Sequence, residues 1–327
     1  MLAEVIVSAV RAASSVDPER LVLTPVTLTP DAAIGIPVAL VGAVFLAIGA
    51  QLQHRGVTTI HERAVEPVGS GLSINQLKSL LRRPSWVLGT VMLGLAVVFQ
   101  LISLGLAPLI VVQPLGAIAL IITAIVNSRV SKVRLPKHSI RAIALCVLGV
   151  GIFVTIATFT ATSKEITTNE LITILILLGV ITVAFALVFA FLRKRVRAVI
   201  YIVGAGVLYG FVATLAKVVI DRVKTLLFGF AHPQGIEWLT ILCVVALLAA
   251  AALGGYFVQT AYASGPPDLV IAGLTVIDPI VAVTIGIVVL QEASGAPALA
   301  VVAFIAAGAL SIFGVFQLSK HHPQSQA

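Results

Sequence analysis

The chain has 327 residues, 59% of them hydrophobic and only 10% charged, at a mean hydropathy of +1.13. A soluble domain carries about a quarter charged residues, so this chain cannot cover itself with polar surface in water. Its net charge of +8 reads, in a membrane chain, as an orientation signal rather than a nucleic-acid footprint, and nucleic acid is not an expected partner. Cys146 and Cys243 sit in separate apolar runs without the spacing of a metal site, which suits small packing residues.

Residues 1–32 open the chain. Leu2 to Ala13 are apolar but too few to span, Glu4 and Arg11 interrupt them, and no basic stretch precedes them as in a signal peptide. This segment is expected as an extracytoplasmic arm. A bilayer core of about 30 Å needs ~20 apolar residues in a helix. Runs of that kind follow at Ala33–Gln53, Ser85–Leu106, Ala107–Ser128, Ser139–Thr160, Leu171–Leu192, Ala198–Val219, Ile236–Tyr262, Leu269–Leu290 and Ala296–Leu318. The expected fold is therefore all-α, a polytopic integral membrane bundle of nine spans.

With the N-terminus outside and the C-terminus inside, fifteen of the 21 basic residues fall in inside loops. The clusters are Arg82-Arg83, Arg129 to Arg141 and Arg193 to Arg197, and Lys320 ends the count. That asymmetry favours this orientation in the cell membrane. Lys217, one membrane thickness beyond the Arg193–Arg197 cluster, is expected to snorkel to the outer interface.

The chain also repeats itself. Val112-Gln113-Pro114-Leu115-Gly116-Ala117 in span three resembles Ile277-Asp278-Pro279-Ile280-Val281-Ala282 in span eight, at an offset of 165. The same offset carries Asn127 onto Glu292. Phe99-Gln100 resembles Val258-Gln259 at an offset of 159, the difference matching a longer loop at Gly265-Pro266-Pro267. The expected organisation is an arm (1–32), a four-helix repeat (33–160), a linking span with a basic loop (161–196), a second repeat (197–318) and a tail (319–327). Because span five carries the chain across once more, the second repeat starts on the opposite face and is inverted. Inverted repeats around a midplane site are a recurrent transporter plan.

Several segments resemble the drug/metabolite transporter superfamily, in particular its branch of NIPA-type magnesium transporters. They are Ala107-Pro108-Leu109-Ile110-Val111-Val112-Gln113-Pro114-Leu115-Gly116-Ala117, Asp278-Pro279 with Leu290-Gln291-Glu292, Arg82-Arg83 before Trp86, and Gln51-x-Gln53-His54-Arg55-Gly56. The likeness covers roughly residues 33–318. It departs at Asn127-Ser128-Arg129, where relatives often carry an acid, and in having nine spans where many relatives have ten. The resemblance implies a membrane carrier, with magnesium as one candidate cargo.

Asp278 stands out, about nine residues or ~14 Å of helix rise inside span eight. A carboxylate there costs ~2.5 kcal/mol or more unless it faces a polar cavity or is protonated. Pro279 is expected to disrupt the helix at Asp278 and to leave carbonyls one turn back without donors. Such oxygens suit a cation, a proton or a substrate ammonium. Gln113-Pro114 is the neutral counterpart, and Gln100, Ser103, Gln259 and Tyr262 are candidate cavity-lining residues or interhelical hydrogen-bonding residues. Glu292 and Asn127, near span ends, suit an interfacial position or the pathway. Gly206 and Gly210 form a GxxxG pair that permits close contact inside the monomer or in a homodimer.

No Walker-type loop and no HExxH is present, so neither ATP-driven transport nor an intramembrane metalloprotease is expected, and no cofactor is implied. The leading expectation is a secondary transporter of a small polar or cationic solute, working by alternating access. A magnesium carrier, a flippase for a lipid-linked headgroup and a non-transporting membrane scaffold are the alternatives.

Overall fold

In a computed structural model, residues 30–61, 82–130, 137–162, 164, 166–192, 198–228, 237–264 and 267–320 are described. Most of the expected N-terminal arm, the 62–81 loop and the end of the tail lie outside them. The described residues form these helices: α1 (Pro30–His61), α2 (Pro84–Leu106), α3 (Leu109–Leu115), α4 (Ala117–Val130) and α5 (Lys137–Thr160). They continue as α6 (Thr168–Leu192), α7 (Ala198–Phe228), α8 (Glu237–Ser264), α9 (Pro267–Val288) and α10 (Ala298–Lys320).

Nine membrane-length apolar spans occur among the described residues, one for each expected run, with α3 and α4 together making the third. The sixth is longer than expected and reaches Thr225. The protein is a multi-pass helical membrane bundle. Large apolar side chains such as Leu88, Val180, Leu248 and Ile305 lie on its exterior, as lipid contact requires; a soluble fold would bury them.

Two corrections concern the prolines. Span three is not one helix: it turns at Gly116, whose amide donates to the Gln113 carbonyl at 3.1 Å, and the Ala119 amide then donates to Gly116 at 3.1 Å. These i→i−3 bonds tighten the chain where Pro114 supplies no amide hydrogen. Conversely, Asp278 stays helical, because α9 runs unbroken through Pro279. The difference lies two residues on. Gly116 lies two residues after Pro114, whereas Val281 lies two after Pro279, and glycine is a poorer helix former than valine by a few tenths of a kcal/mol.

Packing is strongest between α1 and α2, α5 and α10, α7 and α8, and α7 and α9, with α3 against α5 and α9. In a bilayer, helices associate through close van der Waals approach at small residues. The α5–α10 crossing is the tightest case. A Cβ on Gly149 would meet Ser311 N at 2.5 Å, Ser311 Cα at 2.8 Å and Ala307 O at 2.9 Å. A Cβ on Gly314 would meet Cys146 N at 2.5 Å, Cys146 Cα at 2.8 Å and Ala142 O at 2.9 Å. Each partner differs from its counterpart by 165 residues, the offset of the sequence repeat, so the contact is reciprocal.

The chain alternates direction at each span. One end of the bundle therefore gathers the ends of α2, α5, α7 and α9 and the starts of α3, α6, α8 and α10. It is called the Glu292 end below.

Candidate functional site

Polar groups inside this bundle form two separate groupings, one around Asp278 and one at the Glu292 end.

Asp278 is placed by the close approach of α9 to α7. A Cβ on Gly206 would stand 2.7 Å from Ile277 Cβ, and one on Gly210 would stand 2.7 Å from Val281 Cβ and 3.0 Å from the Asp278 carbonyl oxygen. The GxxxG pair is thus used within the chain. One carboxylate oxygen of Asp278, Oδ1, is buried without a hydrogen-bond partner among the described residues. Tyr209, between the two glycines on α7, lies within electrostatic range of Asp278, and its ring packs toward Gly254 of α8. Tyr262, on the same helix α8, lies within electrostatic range of Tyr209. Sequence reading missed Tyr209, although its position between the two glycines of the GxxxG motif was a readable signal.

On the first half, Gln113 is only 6% exposed, and its Nε2 has no partner among the described residues. Pro114 and Pro279 line one apolar cavity of about 90 Å³ together with Thr275 and Ser311. The two proline-bearing segments thus meet. The remaining candidates are dispersed. Ser103 is buried and donates to the Gly35 carbonyl at 2.8 Å, joining α2 to α1. Gln100 is half-buried on α2, while Gln259 and Tyr262 are exposed on α8. Asn127 lies on α4, its side chain outside the described part.

Glu292 departs from an ordinary interfacial placement. It is 3% exposed, and its Oε1 and Oε2 accept the Leu109 and Ile110 amides, each at 2.8 Å. These amides open α3, where no intrahelical acceptor exists, so the carboxylate completes the helix start. The chain delivers it there by a sharp reversal after α9. Gln291 takes a left-handed φ of 52°, and the Glu292 amide donates to the Gly286 carbonyl at 2.9 Å. Burial pushes the Glu292 carboxyl above the usual range, against the pull of the Ile110 and Leu109 amides and of Lys217.

Lys217 does not snorkel. It is 4% exposed, donates to the Leu104 carbonyl at 2.8 Å and pairs with Asp221 at 3.2 Å. An acid one turn away on the same helix and the free carbonyls at the end of α2 hold it inside, so it has no need to reach water.

Comparison with known proteins agrees with this architecture. The family described as Magnesium transporter NIPA matches residues 30–323. The chain is 28% identical over 255 residues to an uncharacterized protein of Corynebacterium glutamicum, covering 78% of this chain and 83% of that one. No solved structure matches significantly. Residues 30–323 span the whole bundle, and the chain belongs to the NIPA magnesium transporter family of multi-pass membrane transporters.

Proposed function

We propose that the chain is a secondary carrier of Mg²⁺ or a similar divalent cation, moved by alternating access past Asp278. The observation that carries this reading is the Asp278 oxygen, buried without a donor among the described residues and beside Pro279. An uncompensated carboxylate at this depth costs about 2.5–3.5 kcal/mol. A cation entering beside it offsets that cost, and Pro279 leaves the Thr275 carbonyl without its usual i+4 amide, a second oxygen nearby. No group of three His, Cys, Asp or Glu exists among the described residues that would hold an ion as a closed cage. Mg²⁺ gives up its waters reluctantly and is commonly held through one or two carboxylates. A single acid met by a largely hydrated ion fits a carrier that must also release its cargo.

The reciprocal α5–α10 crossing supports inverted repeats. α5 begins at the end of the bundle where α10 finishes, so the two run antiparallel. A two-fold axis exchanging antiparallel helices lies across them, in the membrane plane. Two halves so related interconvert inward- and outward-open forms by exchanging conformations. The charge asymmetry supports placing the Glu292 end outside.

The test is purified protein in liposomes loaded with a Mg²⁺ indicator and a pH dye. Saturable Mg²⁺ entry on addition of external Mg²⁺ is expected. Absence of Mg²⁺ entry, with proton-linked uptake of an amino acid or organic cation instead, would return the chain to the broader drug/metabolite type.

A further inference from the structure

Every basic side chain described at the Glu292 end converges on one cavity. Lys164, Lys217, Arg222 and Lys224 line a space of about 530 Å³, with Asp31 and Asp221 the acids of the same lining. Glu170 and Glu292 border an adjoining space that shares Lys164, Lys217 and Asp221, so those two cations face acids and the positive side of the cavity lies at Arg222 and Lys224. Two of the cations have structural partners. Lys217 and Lys224 donate to the Leu104 and Gly105 carbonyls in the last turn of α2, where positive charge complements the helix end. Asp221 is engaged by Lys217, and Lys164 reaches the Gln291 side chain at 3.5 Å.

Arg222 is different. Its Nε is buried in the cavity wall with no hydrogen-bond partner among the described residues. A buried donor left unsatisfied costs about 1–3 kcal/mol. A guanidinium presents a planar fork that matches carboxylate and phosphate oxygens. An oxyanion beside Arg222 and Lys224 supplies an acceptor to the guanidinium and meets a second cation. The volume suits a ligand of small-metabolite size.

We propose that this cavity is an oxyanion site, in which Arg222 holds a carboxylate or phosphate group and Lys164 and Lys224 supply rim charge. The oxyanion belongs either to a soluble ion or to the headgroup of an anionic lipid. This reading is independent of cation transport by Asp278, because it is tested by binding alone.

The experiment uses full-length protein in nanodiscs of phosphatidylcholine, titrated with inorganic phosphate and with citrate at constant ionic strength. Thermal unfolding and tryptophan fluorescence provide the readouts. Saturable stabilisation by either anion, beyond a chloride control, is expected. Arg222→Gln should weaken the affinity about tenfold, the loss of one charged hydrogen bond, while Arg222→Lys retains part of it. Lys164→Gln alters an exposed side chain and should lower affinity with folding intact, which keeps the test valid if Arg222→Gln misfolds. Lys137→Gln, at the opposite end, should change nothing. In phosphatidylglycerol nanodiscs, a headgroup ligand would stabilise the wild type over Arg222→Gln and abolish the response to soluble anions. A wild-type protein insensitive to phosphate, citrate and phosphatidylglycerol would overturn the proposal, as would unchanged affinity in both Arg222→Gln and Lys164→Gln.

Discussion

At the scale of single residues, Glu292 shows why depth cannot be read from span ends alone. Sequence places it just past an apolar run, where water is near. The reversal at Gln291 instead tucks it under α3, so that two backbone amides replace water as donors. Glu292→Gln keeps one acceptor but sets an NH₂ group against the other amide. A loss of about 1–3 kcal/mol is expected, read as a lower melting temperature. Because its carboxyl is raised in the folded protein, the native state holds the proton more tightly than the unfolded chain does. Its contribution is complete below the ordinary glutamate range and declines as pH rises through the raised value. The melting temperature should therefore fall over that window in the wild type and flatten in Glu292→Gln; a flat wild-type profile would contradict the assignment. Gln291 is testable alongside it. Gln291→Val, branched at a left-handed φ, should lose about 1–2 kcal/mol, whereas Gln291→Gly should lose little.

Among the elements, apolar length sufficed to locate each span, because a bilayer imposes a minimum run on any crossing helix. It did not reveal that span three is two helices or that α9 survives its proline, because those outcomes depend on Gly116 and Val281. Nor did it reveal Lys217, which hydropathy treats as a charge to be expelled although Asp221 lies one turn away. The α5–α10 crossing offers a quantitative check on the pseudo-symmetry. Gly149→Ala and Gly314→Ala each drive a methyl into the partner's backbone at 2.5 Å. Overpacking of this kind costs about 1–3 kcal/mol. The two variants should lose similar stability, measured by thermal unfolding in detergent; a large effect at one glycine and none at the other would break the equivalence.

For the whole molecule, the family and the multi-pass fold were legible in motifs and hydropathy, while the charge lining of the Glu292 end was not. Lys217, Arg222 and Lys224 share the end of α7, but only the folded bundle brings Lys164 and the last turn of α2 to the same cavity. Orientation is checked by single cysteines. The native Cys146 and Cys243 are buried, so background labelling should be low. With the N-terminus outside, Ser163→Cys should react with a membrane-impermeant maleimide in intact cells and Ser70→Cys should not; the reverse pattern would invert the topology.

The central claim is that Asp278 meets the transported cation, and Asp278→Asn tests it most directly. The substitution keeps the shape of the side chain and removes its charge. In proteoliposomes matched for protein content and monodispersity, Mg²⁺ uptake should fall at least about tenfold, as loss of a charge contact worth ~1.4 kcal/mol or more implies. Asp278→Glu should keep part of the rate. Uptake by Asp278→Asn at the wild-type rate would contradict the account and leave Asp278 as a structural polar residue of the bundle.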